Sequence, residues 1–224
     1  FNKFFILFKI GRKIGKSNII NIVSETHKIP VFIKLFFNLL AFSFSSSNNT
    51  KSKGKENLSE SIQEMGTTFI KLGQFLATRP DIIGEKLSKE LESLQDKLPP
   101  FSKKEAEKII IENLGQSNFD DIIDLSEPIA AASIAQVHKA KIKEDNIIKN
   151  VAIKVLRPNI KKIFNDEIDA IMLLAYIVES LISKTKRLKL IEVVFLFKEI
   201  TNHEMDLRFE AAAANEYAEN TKND

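Results

Sequence analysis

Val151-Ala152-Ile153-Lys154-Val155-Leu156 places one ammonium inside an otherwise apolar run. The stretch Ile147–Leu156 is bounded by a polar turn and by Pro158, and it reads as a strand. A cation so surrounded needs a partner, because an unpaired charge is costly to take out of water. A solvated lysine on an edge strand meets that need equally well. Upstream, Pro128–Lys143 reads as a second strand, with Lys143–Asn146 as the polar turn that joins the two. A hairpin of this kind delivers Lys154 about 20 residues after the small-residue stretch Ala130-Ala131-Ala132-Ser133.

Helical patterning lies on both sides of this β region. Downstream of Pro158 it covers roughly Asn159–Ser183 and then Leu190 to the end. Upstream it runs from near Leu58 to about Thr78, with Ile62, Met65, Phe69, Ile70 and Leu72 as apolar positions. Pro80 opens a further helix to about Leu98, and Pro99-Pro100 ends it. Ser102 with Glu105 is a capping-box signature for a helix to Asn113, with Gly115 placed to stop it. The fold class is therefore α+β, helices followed by a small antiparallel sheet and more helices, with no internal repeat. The divisions are 1–44 (basic and amphipathic), 45–56 (a polar linker), 57–124 (a helical extension) and 125–224 (the β region with its following helices).

The amino-terminal stretch is basic as well as apolar. From Phe1 to Lys34 there are seven Lys or Arg and one acid, Glu25. Phe1, Phe4, Phe5 and Phe8 recur at roughly helical spacing, and a second apolar run covers Ile29–Phe44. Neither run reaches the roughly 18–20 uninterrupted apolar residues of a spanning helix. Basic helices carrying Phe lie on anionic membranes; docking on the rest of the protein explains the pattern equally well. Charge and Phe continue through the run without a cleavage pattern, which argues against a signal peptide.

Composition narrows the classes further. Apolar residues make up 44% and charged residues 28%, which supports a core and excludes a wholly membrane-embedded or disordered chain. The net charge of +3, from 33 basic and 30 acidic residues, is too balanced to point to nucleic acid. There is no cysteine, and His27, His138 and His203 are scattered, so neither a disulfide scaffold nor a Cys- or His-built metal site is expected. The first residue is Phe1, and a polar helical pattern continues to Asp224, which reads as a portion of a longer chain.

Three more segments carry candidate chemistry. Lys71 and Gln74 in Lys71-Leu72-Gly73-Gln74 share a helix face, and Gly73 between them costs about 1 kcal/mol of helix propensity. A glycine there suggests close packing against a backbone or a ligand, although Lys and Gln are common on any amphipathic helix. Pro128–His138 holds Ala130, Ala131, Ala132 and Ser133 between two β-like segments. Alanine keeps the backbone N–H but resists positive φ, so such a loop could cover phosphates in fewer conformations. A small-residue strand packed in a core is the plain alternative. Glu204 and Asp206, followed by Glu210, Ala211, Ala212, Ala213, Ala214 and Asn215, supply acids that could pair with Lys71 and Lys154 or simply face solvent.

Taken in order, KxGQ, an alanine loop ending SIAQVH, VAIK, and ExD with EAAAN resemble the UbiB/ADCK family of atypical kinase-like proteins, linked to ubiquinone biosynthesis. The resemblance runs from about Ser59 to the end and includes LATRPDI, LQDKLPPF and KVLRPNI. It implies a helical extension on a protein-kinase-like N-lobe. Lys71, Gly73 and Gln74 would be the KxGQ motif that lies over the site and restrains protein phosphorylation. Ala130, Ala131, Ala132 and Ser133 would cover the nucleotide, and Lys154 would hold its phosphates, paired with Glu210 on the kinase C-helix. Glu204 and Asp206 would face the KxGQ helix. The implied ligands are ATP or ADP with Mg²⁺. The implied partners are an anionic membrane surface and quinone-lipid precursors or their biosynthetic enzymes, at the cytoplasmic face of a membrane.

Kinase chemistry also needs a catalytic-loop Asp and Asn and a metal-binding Asp beyond it. Neither an HRD-like nor a DFG-like motif occurs up to Asp224, so no catalytic or metal-binding residue is assigned and the C-lobe is expected to be absent. Two rival classes stand beside the kinase-like reading. One is a non-enzymatic, nucleotide-responsive membrane scaffold. The other is a small-molecule phosphotransferase of the antibiotic or choline kinase type, which leaves KxGQ unexplained.

Overall fold

The structure is a computed structural model, and it describes residues 2–16, 58–94, 98–144 and 147–222. The apolar run Ile29–Phe44 and the polar linker at 45–56 lie outside the described residues. The chain divides into two compact units. The first comprises Phe1–Gln95 and Lys162–Ile200, and the second Asp96–Lys161 and Thr201–Asp224.

In the first unit, α1 (Asn2–Lys16) is followed by α2 (Leu58–Met65), α3 (Thr67–Ala77), α4 (Pro80–Ile83) and α5 (Glu85–Leu91). The single helix expected from Leu58 to Thr78 is broken at Gly66, whose φ of 102° no helix accommodates. The helix expected from Pro80 to Leu98 is likewise broken at Gly84, φ 82°, and ends at Leu91. One apolar cluster joins Leu58, Leu87, Leu91 and Leu94; another joins Ile10 of α1 with Met65, Phe69 and Ala170. Helix α1 therefore docks through Ile6, Leu7, Ile10 and Ile14, and it leaves Phe5 and Phe8 exposed. Lys13 fixes that docking. Its ammonium donates to the Met65 carbonyl, one of the last-turn acceptors of α2, at 2.7 Å and lies 3.7 Å from Glu167.

The second unit holds α6 (Lys103–Leu114), α7 (Gln116–Asp120) and the strands β1 (Ile122–Ala131), β2 (Ala135–Glu144) and β3 (Ile147–Leu156). Ser102 caps α6 by accepting from the Glu105 N–H, and Gly115, φ 84°, ends it. The sheet is antiparallel in the order β1-β2-β3. Pairing of β2 with β3 is continuous from Ala135↔Leu156 to Glu144↔Ile147. Pairing of β1 with β2 shifts on both sides of Pro128, which has no N–H to offer the ladder. The strand expected over Pro128–Lys143 is thus two strands, parted by a turn at Ala132–Ile134. The first of them begins at Ile122, six residues before Pro128. Alanine suits strand and turn alike, so the pattern carried no break there.

Alternation puts Val151, Ile153 and Val155 on one face of β3, packed with Ala106, Ile110, Leu125 and Ala140. It puts Ala152 and Lys154 on the other.

Beyond β3 come α8 (Ile160–Leu181), a 3₁₀ segment (Ser183–Leu188), α9 (Leu190–Glu204) and α10 (Leu207–Asn220). Phe197 of α9 packs edge-on to Phe164 of α8, with ring centres 5.6 Å apart, within the first unit. The helix expected from Leu190 to the end is interrupted at Met205-Asp206, where the Asp206 side chain caps α10 by accepting from the Arg208 N–H.

Candidate functional site

Lys154 leaves the solvent-side face of β3, and its Nζ donates to Glu210 Oε2 at 2.6 Å. Glu210 lies in the first turn of α10, which Asp206 starts by its cap. The strand thus supplies the cation and the capped helix its acid, 56 residues apart in sequence. The side chains are 36% and 60% exposed, so the pair is open to solvent and to a ligand.

The strand register sets what surrounds the lysine. Val137 of β2 is opposite Lys154 on one side and Ala130 of β1 on the other. Ala152, two residues before Lys154, shares its face. Ala130, Val137 and Ala152 make a shallow floor of small side chains that ends in an ammonium. A planar base on the floor and an anionic group at the lysine fit that set of groups.

The alanine loop adjoins the floor. Ala130 and Ala131 end β1, Ala132 begins the turn, and Ser133 is fully buried. The Ala132 N–H donates to the Ala135 carbonyl at 2.8 Å and closes the turn. None of the four is glycine, and none of the turn residues has positive φ.

Behind the floor, on the helix-covered face, lies a buried polar network that sequence reasoning passed over. Gln136 Oε1 accepts the Phe101 N–H at 2.9 Å, and its Nε2 donates to the Phe101 carbonyl at 3.2 Å. That same Nε2 lies 2.9 Å from His138 Nε2, while His138 Nδ1 lies 2.8 Å from the Ser126 carbonyl. With the amide NH₂ facing it, His138 Nε2 accepts, so its proton sits on Nδ1 and goes to Ser126. The available signal was the spacing: Gln136 and His138 share a strand face with the apolar Ala140 and Ile142.

The remaining candidates are distributed between the units. Lys71, Gly73 and Gln74 lie on α3 in the first unit; Glu204, at the end of α9, and Asp206 belong to the second. A β-carbon on Gly73 would collide with Leu94 Cδ1 and would lie 3.4 Å from Ile62 Cγ2, so this glycine serves close helix packing. Asp206 also accepts from Arg208 Nε at 2.7 Å. The Arg208 guanidinium, with the Arg208 N–H and the charge of Lys161 adding to it, holds this carboxyl down at about 2. Among the described residues, no group of three or more His, Asp or Glu converges as a metal site.

The profile of the ABC1 atypical kinase-like domain matches residues 93–224, a span that includes the sheet, Lys154 and Glu210. The chain belongs to the ABC1 atypical kinase-like family. Its relatives in that family include proteins named probable protein kinase UbiB. One from Marinobacter nauticus is 35% identical over 197 residues, covering 88% of this chain and 35% of the relative. One from Pseudomonas paraeruginosa is 32% identical over 216 residues, covering 96% and 40%. One from Vibrio cholerae is 38% identical over 171 residues, covering 75% and 31%. The chain thus spans well under half the length of these ABC1 relatives. Its three-stranded antiparallel sheet among helices is the α+β, kinase-like N-lobe arrangement expected of the resemblance.

Proposed function

We propose that this chain supplies the nucleotide-holding part of an ATP-dependent atypical kinase or ATPase that supports ubiquinone biosynthesis at a membrane. The Lys154–Glu210 pair carries the reading, since it is a solvent-open ammonium kept in place by an acid at the edge of a small-residue floor. In the bound state Lys154 would take the phosphates, Glu210 would keep the ammonium oriented, and Ala130, Val137 and Ala152 would receive the base. The nucleotide, with Mg²⁺, supplies the phosphoryl group. Lys71, Gly73, Gln74, Glu204 and Asp206 would act as the restraining KxGQ and ExD elements of the whole protein, with quinone-lipid precursors or their enzymes as partners.

Titration of the 224-residue chain with a fluorescent ADP analogue and Mg²⁺ tests this. Binding should fall about tenfold or more in Lys154→Met, the order expected when a charge-assisted contact is lost. ATP turnover should stay at background, because the sequence has no match to a catalytic loop. Equal affinity of wild type and Lys154→Met would overturn the assignment of Lys154, and robust turnover would mean that the catalytic residues lie among those present.

At the membrane, Phe5, Phe8 and Lys9 on the outer side of α1 support surface attachment to anionic lipid at the cytoplasmic face. No helix among the described residues is long and apolar enough to cross a bilayer.

A further inference from the structure

Arg157, the residue that follows β3, gathers the alanine loop. Its Nε and Nη2 donate to the Ala132 carbonyl at 3.0 and 2.8 Å, and its backbone N–H donates to the Ile134 carbonyl at 2.9 Å. On the far side, Nη1 donates to the Pro99 carbonyl at 3.1 Å, and the guanidinium carbon lies 5.9 Å from the centre of the Phe101 ring. Phe101 is itself held through both its N–H and its carbonyl by Gln136.

We propose that Arg157 is the positioning residue of the alanine loop. It ties Ala132–Ile134 to the Pro99–Phe101 segment, so that a nucleotide meets a preset loop and not a mobile lid.

Two donors on one carbonyl fix that oxygen in two directions. Because the peptide is planar, they also fix the orientation of the whole Ala132–Ser133 unit. The second contact, from the Arg157 backbone, fixes the other end of the turn at Ile134. The turn between them contains no glycine and has little conformational choice left. Only a planar fork can hold Ala132 twice and still reach Pro99; a lysine at this position offers a single ammonium on a flexible stem. A loop held before binding spares the ordering cost when the ligand arrives, so the clamp should raise nucleotide affinity. This last step rests on the nucleotide reading above, whereas the clamp itself does not.

The test uses the 224-residue chain as wild type, Arg157→Lys and Arg157→Met. Amide exchange by mass spectrometry should speed about tenfold or more over residues 132–136 in both variants, while residues 103–114 on α6 change much less. The fluorescent ADP analogue with Mg²⁺ should bind Arg157→Lys roughly five- to tenfold more weakly than wild type. If Arg157→Met fails to fold, Arg157→Lys decides alone. Unchanged exchange at 132–136 would overturn the clamp. Faster exchange with unchanged affinity would overturn its role in binding. Failure of the wild-type chain to bind nucleotide would overturn the nucleotide reading and this role with it, and exchange would then decide the clamp separately.

Discussion

Gln136 and His138, two residues apart on β2, determine each other's hydrogen bonding: the Gln136 amide that grips Phe101 also sets the tautomer of His138. Gln136 and His138 are at most 1% exposed, so their polar side-chain atoms have no water to fall back on, whereas Phe101 is half-buried. Gln136→Leu should therefore leave the Phe101 N–H and carbonyl and His138 Nε2 without partners. The expected cost is about 2–4 kcal/mol by urea unfolding, since stranding the buried His138 Nε2 costs on the order of 1–3 kcal/mol and the half-buried Phe101 groups, which water can reach, add less. A loss below about 0.5 kcal/mol would show that the network contributes little beyond its volume.

Asp206 brings a pH dependence to the start of α10. Its carboxyl is held near 2, against an ordinary value of 3.8. A carboxylate with a lowered folded pKa contributes stability that is fully present above the ordinary value and is lost as pH falls through the folded one. The contribution should be intact above about pH 4 and fade towards pH 2. Asp206→Asn keeps a capping side chain but removes the charge. Thermal unfolding followed by circular dichroism should separate wild type from Asp206→Asn above pH 4 and bring them together near pH 2. A difference that stays constant over that range would count against the assignment.

Gly73 is expected to tolerate alanine because two effects oppose. The new methyl meets the flexible tip of Leu94, while the helix gains about 1 kcal/mol of propensity. Gly73→Ala should thus change stability by less than about 1 kcal/mol. In a Leu94→Ala background the same change should become stabilising by about 1 kcal/mol, because the collision is gone and the propensity remains. Chemical denaturation of the four proteins measures the cycle. A strong loss in Gly73→Ala that Leu94→Ala does not relieve would require a second obstacle at this helix face.

Helix α1 has its inner face committed to Met65, Phe69 and Ala170, and among the described residues of this helix Phe5 and Phe8 are the exposed large apolar groups, which the proposed surface attachment would use. Flotation with anionic vesicles should recover the chain, with recovery falling as salt is raised. Phe5→Ser should reduce recovery without lowering stability, since this ring is two-thirds exposed and outside the buried cluster. Equal recovery on neutral and anionic vesicles would remove the electrostatic part.

Some of this was legible in the chain alone. An ammonium among Val151, Ile153 and Val155 announces itself, because apolar neighbours rarely surround a cation without a reason. Ser102 with Glu105, and Gly115 after Leu114, mark the ends of α6 through local backbone chemistry that needs no distant partner. The order of the four motifs by itself pointed to the family. Gly66 and Gly84 were less clear, since one glycine costs a helix only about 1 kcal/mol and periodicity can run straight past it.

The rest depended on residues far apart in sequence meeting. Lys154 could have paired with any acid or with water; the fold selected Glu210, 56 positions away, by starting α10 at Asp206. Gln136 and His138 stand in the quoted SIAQVH, yet polar residues on a strand face solvent as readily as a core. Their burial, with Phe101 and Ser126 as hydrogen-bond partners, came only with the fold. Arg157 reads as an ordinary basic residue before Pro158, and its contact with Ala132 spans 25 positions. Periodicity and capping are local and can be read from neighbours in sequence. The partner of a charge is chosen by strand register and helix entry, which exist only once the chain has folded.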